Sequence, residues 1–203
     1  MTMWFSLSFI YYGIMYVLPF ILIQARHQNT SQSDNSEQQK HNGIDFFGIF
    51  LSCFAQIPSN ALVYFTIDNP KFGRIKGLRF SYLLCCLVCL LIYFLQSTGL
   101  LFFLLVALVK FLVNYCFGII YPFTAEVYVT SLRSAGTGFN NSICRIGGVI
   151  MPWVTFAFFH FGIKGPFLSF FIVSGLSTIS AFTIKYDTTN ISLDIYGKDE
   201  YIK

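Results

Sequence analysis

The chain has 203 residues, 55% of them hydrophobic and 11% charged, with a formal net charge of +4. A soluble domain of this size could not cover so much apolar surface with so few charges, so the composition describes a membrane protein. The positive excess is scattered, with no basic face or run to neutralise a phosphate backbone, and nucleic acid is excluded as a partner.

A helix needs about 20 mainly apolar residues to cross a bilayer. Six segments qualify: residues 3–23, 44–67, 78–96, 100–123, 135–159 and 166–184. They predict an all-α membrane protein with six transmembrane helices, one bundle over residues 1–184 and a tail over 185–203. The first segment lacks a basic leader and a small-residue cleavage site, and it is too long for the apolar part of a signal peptide, so it reads as a retained helix.

Between the first two spans lies "QARHQNTSQSDNSEQQKHNG", residues 24–43, whose Gln, Asn and Ser content marks a loop outside the bilayer. The later connections are short. Lys71, Arg74, Lys76 and Arg79 crowd the second, Arg133 sits in the fourth, and Lys185 opens the tail, all on one side of a six-span serpentine. The other side holds Arg26, Lys40 and Lys164. Basic residues accumulate on the cytoplasmic side, which places both termini there and 24–43 opposite. Asn29 in "NTS" is then a glycosylation sequon on the correct side, whereas those at Asn140 and Asn190 read as chance.

Within the spans, ionisable residues are costly and point to function. Lys110 lies about ten residues into the fourth span and Arg145 about ten into the fifth from the opposite side, each ~15 Å deep at ~1.5 Å per residue. Snorkelling to the headgroups works poorly from such depth. No span carries an acidic residue at that level, since Asp45, Asp68 and Glu126 fall near helix ends. The compensating charge must come from an anionic ligand, a partner chain, or carbonyls and water.

Gly136, Gly138, Gly147, Gly148 and Pro152 lie along the fifth span, and Gly118 and Pro122 interrupt the fourth. They fit tight helix packing, or alternatively deformable helices with a hinge at Gly147, Gly148 and Pro152. On the cytoplasmic side Asp68, Arg74, Glu126 and Arg133 are placed to form a salt-bridge cluster that is made in one conformation and broken in another. A few kcal/mol suffices to bias such an equilibrium. Tyr11, Tyr12 and Tyr115 are candidate cavity aromatics, each equally suited to packing or interfacial anchoring.

Other chemistry is sparse. Cys53, Cys85, Cys86, Cys89, Cys116 and Cys144 all fall in the spans, where they serve as small apolar side chains. Cys86 and Cys89 form a C-x-x-C pair with no His or acidic partner nearby in sequence, so no metal is expected. His27, His41 and His160 are isolated, and no nucleophile with a matching base is visible, so neither an enzyme nor a cofactor is expected.

The stretch "AEVYVTSLRSAGTGFNNSICRIGGVIMPW" resembles the span-ten to span-eleven region of the major facilitator superfamily, and most closely its organic ion transporters and synaptic-vesicle-protein-related members. The matching positions are Glu126, Tyr128, Thr130, Arg133, Gly136, Gly138, Arg145, Gly147, Gly148 and Pro152. Lys110 fits a basic residue of the same pattern, "FIYYG" resembles the seventh span, and "DNPKFGRIKGLR" resembles a cytoplasmic signature between spans eight and nine. Val129 replaces the usual proline after Tyr128, and two extra residues separate Asp68 from Gly73.

The resemblance implies the C-terminal six-helix half of a twelve-helix transporter that works by alternating access around a site between its halves. It also implies a missing N-terminal half or a second six-span unit, a small organic solute, a coupling ion, and residence in the plasma membrane or an intracellular vesicle membrane. The position of Arg145 often matches solute charge in that family, which favours an anionic or zwitterionic solute bound by Lys110, Arg145, Tyr11, Tyr12 and Tyr115. The competing expectation is a non-transporting six-span protein acting in assembly or trafficking.

Overall fold

The computed structural model describes residues 1–30, 54, 56–67, 73–95, 100–162 and 165–184. These form α1 (Thr2–Thr30), α2 (Gln56–Thr66), α3 (Arg74–Phe94), α4 (Leu100–Val127), α5 (Arg133–Phe158) and α6 (Gly165–Thr183), with a 3-10 turn over Phe159–Phe161. No strand occurs among the described residues. Five of the helices are long and apolar enough to cross a membrane: α1, α3, α4, α5 and α6. The second expected span, residues 44–67, is described chiefly as α2, whose 11 residues rise only ~16 Å. Asp45, the tail 185–203 and the stretch 31–43 lie outside the described residues. The remainder of segment 24–43, up to Thr30, continues α1 as helix rather than beginning a loop.

Each long helix buries one stripe. Leu7, Ile10, Ile14, Val17 and Ile21 are buried on α1, and Ile75, Leu78, Tyr82, Cys85, Cys89 and Ile92 on α3. Phe102, Val106, Val109, Val113, Cys116, Ile120 and Phe123 do the same on α4, and Asn140, Cys144, Gly147, Met151 and Thr155 on α5. These steps of three and four residues keep one face inward over many turns. The opposite faces carry large exposed apolar side chains, such as Leu83, Leu87, Leu91 and Phe94 on α3. Such faces suit contact with lipid.

α1 packs against α4, α5 and α6, α3 lies between α4 and α6, and α2 rests on α4. Ring contacts set the register. Trp4 meets Tyr121 edge-on at 4.6 Å and Tyr11 meets Phe117 at 5.9 Å, so α1 and α4 run antiparallel. Phe20 meets Phe159 at 4.9 Å while Gly147 lies against the Phe5 carbonyl, so α1 and α5 run parallel.

The helix ends nearest Arg74, Glu126 and Arg133 differ from the sequence expectation. α3 starts at Arg74 rather than 78, α4 runs to Val127 rather than 123, and α5 starts at Arg133 rather than 135. Arg74, Glu126 and Arg133 are therefore helical residues rather than loop residues. Hydropathy marks only the apolar part of a span, whereas a helix continues into the headgroup region as long as its residues tolerate helical geometry.

Candidate functional site

Three helices expose a shared polar and aromatic face. Tyr11 and Tyr12 on α1 pack edge-on at 5.6 Å, Tyr11 reaches Phe117 on α4, and Phe117 stacks on Tyr121 one turn further at 6.5 Å. Tyr12 is 52% exposed and Tyr121 47%. Arg145 on α5 is exposed beside them, its guanidinium within electrostatic reach of the Tyr121 hydroxyl. The Tyr12 ring is seated where α5 has Gly148: a Cβ there would lie 2.9 Å from it. A guanidinium flanked by phenol rings presents fixed positive charge, hydrogen-bonding hydroxyls and flat apolar surfaces within one patch. Such a patch suits a small organic ion.

Of the five side chains expected to bind a solute, Arg145, Tyr11 and Tyr12 share this face. Tyr115 and Lys110 do not. Tyr115 is buried in the bundle and its hydroxyl bonds the Thr66 hydroxyl at 2.9 Å, tying α4 to α2. Lys110 is 1% exposed. Taken together, the contacts of α1 with α4 and α5 place Lys110 level with about residue 17 of α1 and Arg145 level with about residue 6, roughly 15 Å apart along the axis at ~1.5 Å per residue. The equal depth read from sequence therefore does not hold, because the offsets between neighbouring helices are invisible to residue counting. Tyr121 and Phe117 were missed by sequence reading. Their signal is the i, i+4 spacing that puts both on the stripe of α4 facing Tyr11.

The start of α3, the end of α4 and the start of α5 carry the second group. Arg74, in the first turn of α3, forms an ion pair with Glu126 in the last turn of α4, the two side chains being 12% and 19% exposed. Arg133 opens α5, half-buried, and its Nε has no hydrogen-bond partner among the described residues. Asp68 lies outside the described residues. Next to the pair, the Trp4 indole donates to the Thr124 hydroxyl at 3.1 Å, and the Asn140 amide donates to the Tyr128 hydroxyl at 3.1 Å. Residues 124, 126 and 128 thus reach three different helices: α1, α3 and α5.

The hinge candidates lie where α5 crosses α1. A Cβ on Gly147 would stand 2.6 Å from the Phe5 carbonyl oxygen, so the backbones touch directly. Pro152, inside α5, lacks the N–H that would bond the Gly148 carbonyl. Among the described residues no group of His, Cys, Asp or Glu is arranged to hold a metal.

These features define an integral membrane protein with apolar spans and an ionic face. No family model matches the chain. It is 32% identical over 166 residues to SVOPL from Danio rerio, covering 74% of this chain and 31% of that protein. With SVOPL from Homo sapiens it shares 28% over 206 residues, covering 95% of this chain and 41% of the relative. Organic cation/carnitine transporter 7 from Arabidopsis thaliana is 25% identical over 159 residues, covering 78% of this chain and 31% of the relative. The chain is homologous to the SVOP-like and organic-ion transporters of the major facilitator superfamily. It spans about two fifths or less of the length of these relatives.

Proposed function

We propose that this chain forms the C-terminal half of a secondary transporter that carries a small organic solute by alternating access. In this reading six spans cross the membrane, both termini are cytoplasmic and residues 24–43 are extracytoplasmic. The other wall of the pathway comes from an N-terminal half or a second six-span unit, and the protein resides in the plasma membrane or an intracellular vesicle membrane. The observation that carries the reading is the exposed Arg145 beside Tyr12 and Tyr121, on a helix apolar enough to cross a bilayer. Facing lipid, an arginine costs about 3 kcal/mol at the centre of a span and less towards its ends. Facing a water-filled cavity it costs little, and it supplies charge to whatever enters.

Arg145 then meets an anionic or zwitterionic group on the solute, with Tyr11, Tyr12 and Tyr121 against its body. The name of one relative, organic cation/carnitine transporter 7, supports a small organic ion as the solute class. Lys110 acts from inside the bundle, and a coupling ion drives the cycle. The Arg74–Glu126 pair, joined by Asp68 and Arg133, stabilises one conformation and breaks in the other, while α5 pivots at Gly147, Gly148 and Pro152. Bistable elements of this kind respond to a few kcal/mol.

The test is uptake of labelled organic anions and cations by cells expressing the whole protein, with and without Arg145→Asp. Loss of anion uptake with cation uptake kept or gained supports the reading. Unchanged selectivity, or no uptake of either class by the wild type, removes it.

A further inference from the structure

We propose that Tyr128 and Asn140 are positioning residues for the Arg74–Glu126 ion pair, forming a latch between the end of α4 and the start of α5 that keeps Glu126 within reach of Arg74. The latch is a property of the folded chain, and only its consequence for the conformational cycle rests on the transport reading.

The last turn of any helix leaves four carbonyls without intrahelical donors and frays unless something holds it. Glu126 sits in that turn of α4, one residue before the helix ends at Val127. The chain then turns through Tyr128 to Leu132, closed by a bond from the Leu132 N–H to the Val129 carbonyl at 2.9 Å. Val129 stands where a proline would have fixed φ, so the turn is not stiffened from within.

Stiffness comes instead from Tyr128, which folds back over the first two turns of α5. Its ring occupies the space a side chain at Gly136 would need: a Cβ there would lie 2.7 Å from three ring atoms. Its hydroxyl accepts a hydrogen bond from Asn140, 4% exposed, whose amide nitrogen also donates to the Gly136 carbonyl at 2.9 Å. One amide hydrogen thus holds the tyrosine, and the other fixes the amide to its own helix. Glu126 lies two residues before this anchor and Thr124 two residues before Glu126, where Trp4 holds it. The carboxylate is fixed between two anchored neighbours. Releasing the Tyr128 end frees the last turn of α4 to unwind, and the ion pair loses its geometry.

The experiment is thermal unfolding of the full chain in lipid nanodiscs at low and high salt, for wild type, Tyr128→Phe, Glu126→Gln and the double variant. Tyr128→Phe keeps the ring on Gly136 and removes only the hydroxyl. If the hydroxyl positions the pair, Tyr128→Phe shrinks the salt-dependent part of the melting temperature, and adding it to Glu126→Gln lowers the melting temperature by less than it does in the wild type. Losses that add, or a Tyr128→Phe protein with the wild-type salt response, overturn the latch. Asn140→Leu, close in volume but without donors, must reproduce the Tyr128→Phe behaviour, and its failure to do so also counts against the proposal. No solute is needed, so an additive result removes the latch and leaves the transport reading standing. Unchanged selectivity in Arg145→Asp does the reverse.

Discussion

Glu126, near the end of α4, holds Arg74, at the start of α3, in an ion pair that is mostly withdrawn from solvent. Removing one partner of a fully buried pair typically costs 3–5 kcal/mol, because the remaining charge is stranded. With 12% and 19% exposure water can partly solvate the survivor, so Arg74→Gln or Glu126→Gln is expected to cost about 1–3 kcal/mol. The exchanged pair, Arg74→Glu with Glu126→Arg, should recover part of that loss. Thermal unfolding in nanodiscs checks both, and two single variants with wild-type stability would show that the pair is energetically silent.

The α1–α5 crossing makes a contrast available within one helix. At Gly147 an added Cβ meets backbone, the Phe5 carbonyl, which cannot rotate away. Gly147→Ala must push the helices apart and is expected to cost about 1–3 kcal/mol, as overpacked contacts do. At Gly138 nothing lies within 4 Å of the same added atom. Gly138→Ala should therefore gain up to ~1 kcal/mol from helix propensity alone. Melting temperatures that move the same way in both variants would contradict the direct backbone contact.

Much of the fold is legible in the sequence, because long apolar runs and steps of three and four residues are local properties. The runs locate α3, α4, α5, α6 and the start of α1 to within about four residues, while α1 continues as helix past its expected end to Thr30. The apolar segments leave Arg74, Glu126 and Arg133 outside the spans because hydropathy stops at the headgroups and helical geometry does not. The candidate site was legible only in part. Arg145 stands out as a charge among apolar neighbours, yet its distance from Lys110 depends on how α1, α4 and α5 slide past each other. That offset is set by Gly147 against Phe5 and Tyr11 against Phe117, contacts between residues far apart in the chain. Asn140 drew attention only as a sequon, and nothing local connects its amide to Tyr128.

The Trp4–Thr124 bond anchors α4 to α1 from the other side of Glu126. It is buried and 3.1 Å long, and the Thr124 hydroxyl donates in turn to the Ile120 carbonyl at 2.7 Å. Trp4→Phe keeps an aromatic ring against Tyr121 but removes the donor, at a cost of about 1 kcal/mol for the bond plus any packing loss. Thr124→Val removes the acceptor at nearly equal volume. Measured together in a double-mutant cycle, the two losses should overlap by most of the bond's value. Fully additive losses would mean that Trp4 acts through packing alone.

Arg79 on α3 ties down the end of α6 at the same end of the bundle as the Arg74–Glu126 pair. Its Nε donates to the Ala181 carbonyl at 3.0 Å, its Nη2 donates to the Ile184 carbonyl, and its guanidinium lies 5.4 Å from the Phe182 ring centroid. These carbonyls belong to the last turn of α6, where no intrahelical N–H remains to satisfy them and a cation is favoured by the helix dipole. A planar fork with several donors can reach two carbonyls while stacking on a ring, whereas a lysine ammonium on its narrower stem cannot hold both at once. Arg79→Lys, which keeps the charge, is therefore expected to loosen α6 from its end. Hydrogen exchange of the amides of the last turn of α6 should rise about tenfold for each 1.4 kcal/mol of local stability lost, with the amides at the start of α6 unchanged. Exchange equal to wild type in Arg79→Lys would show that charge alone, without the fork, caps this helix.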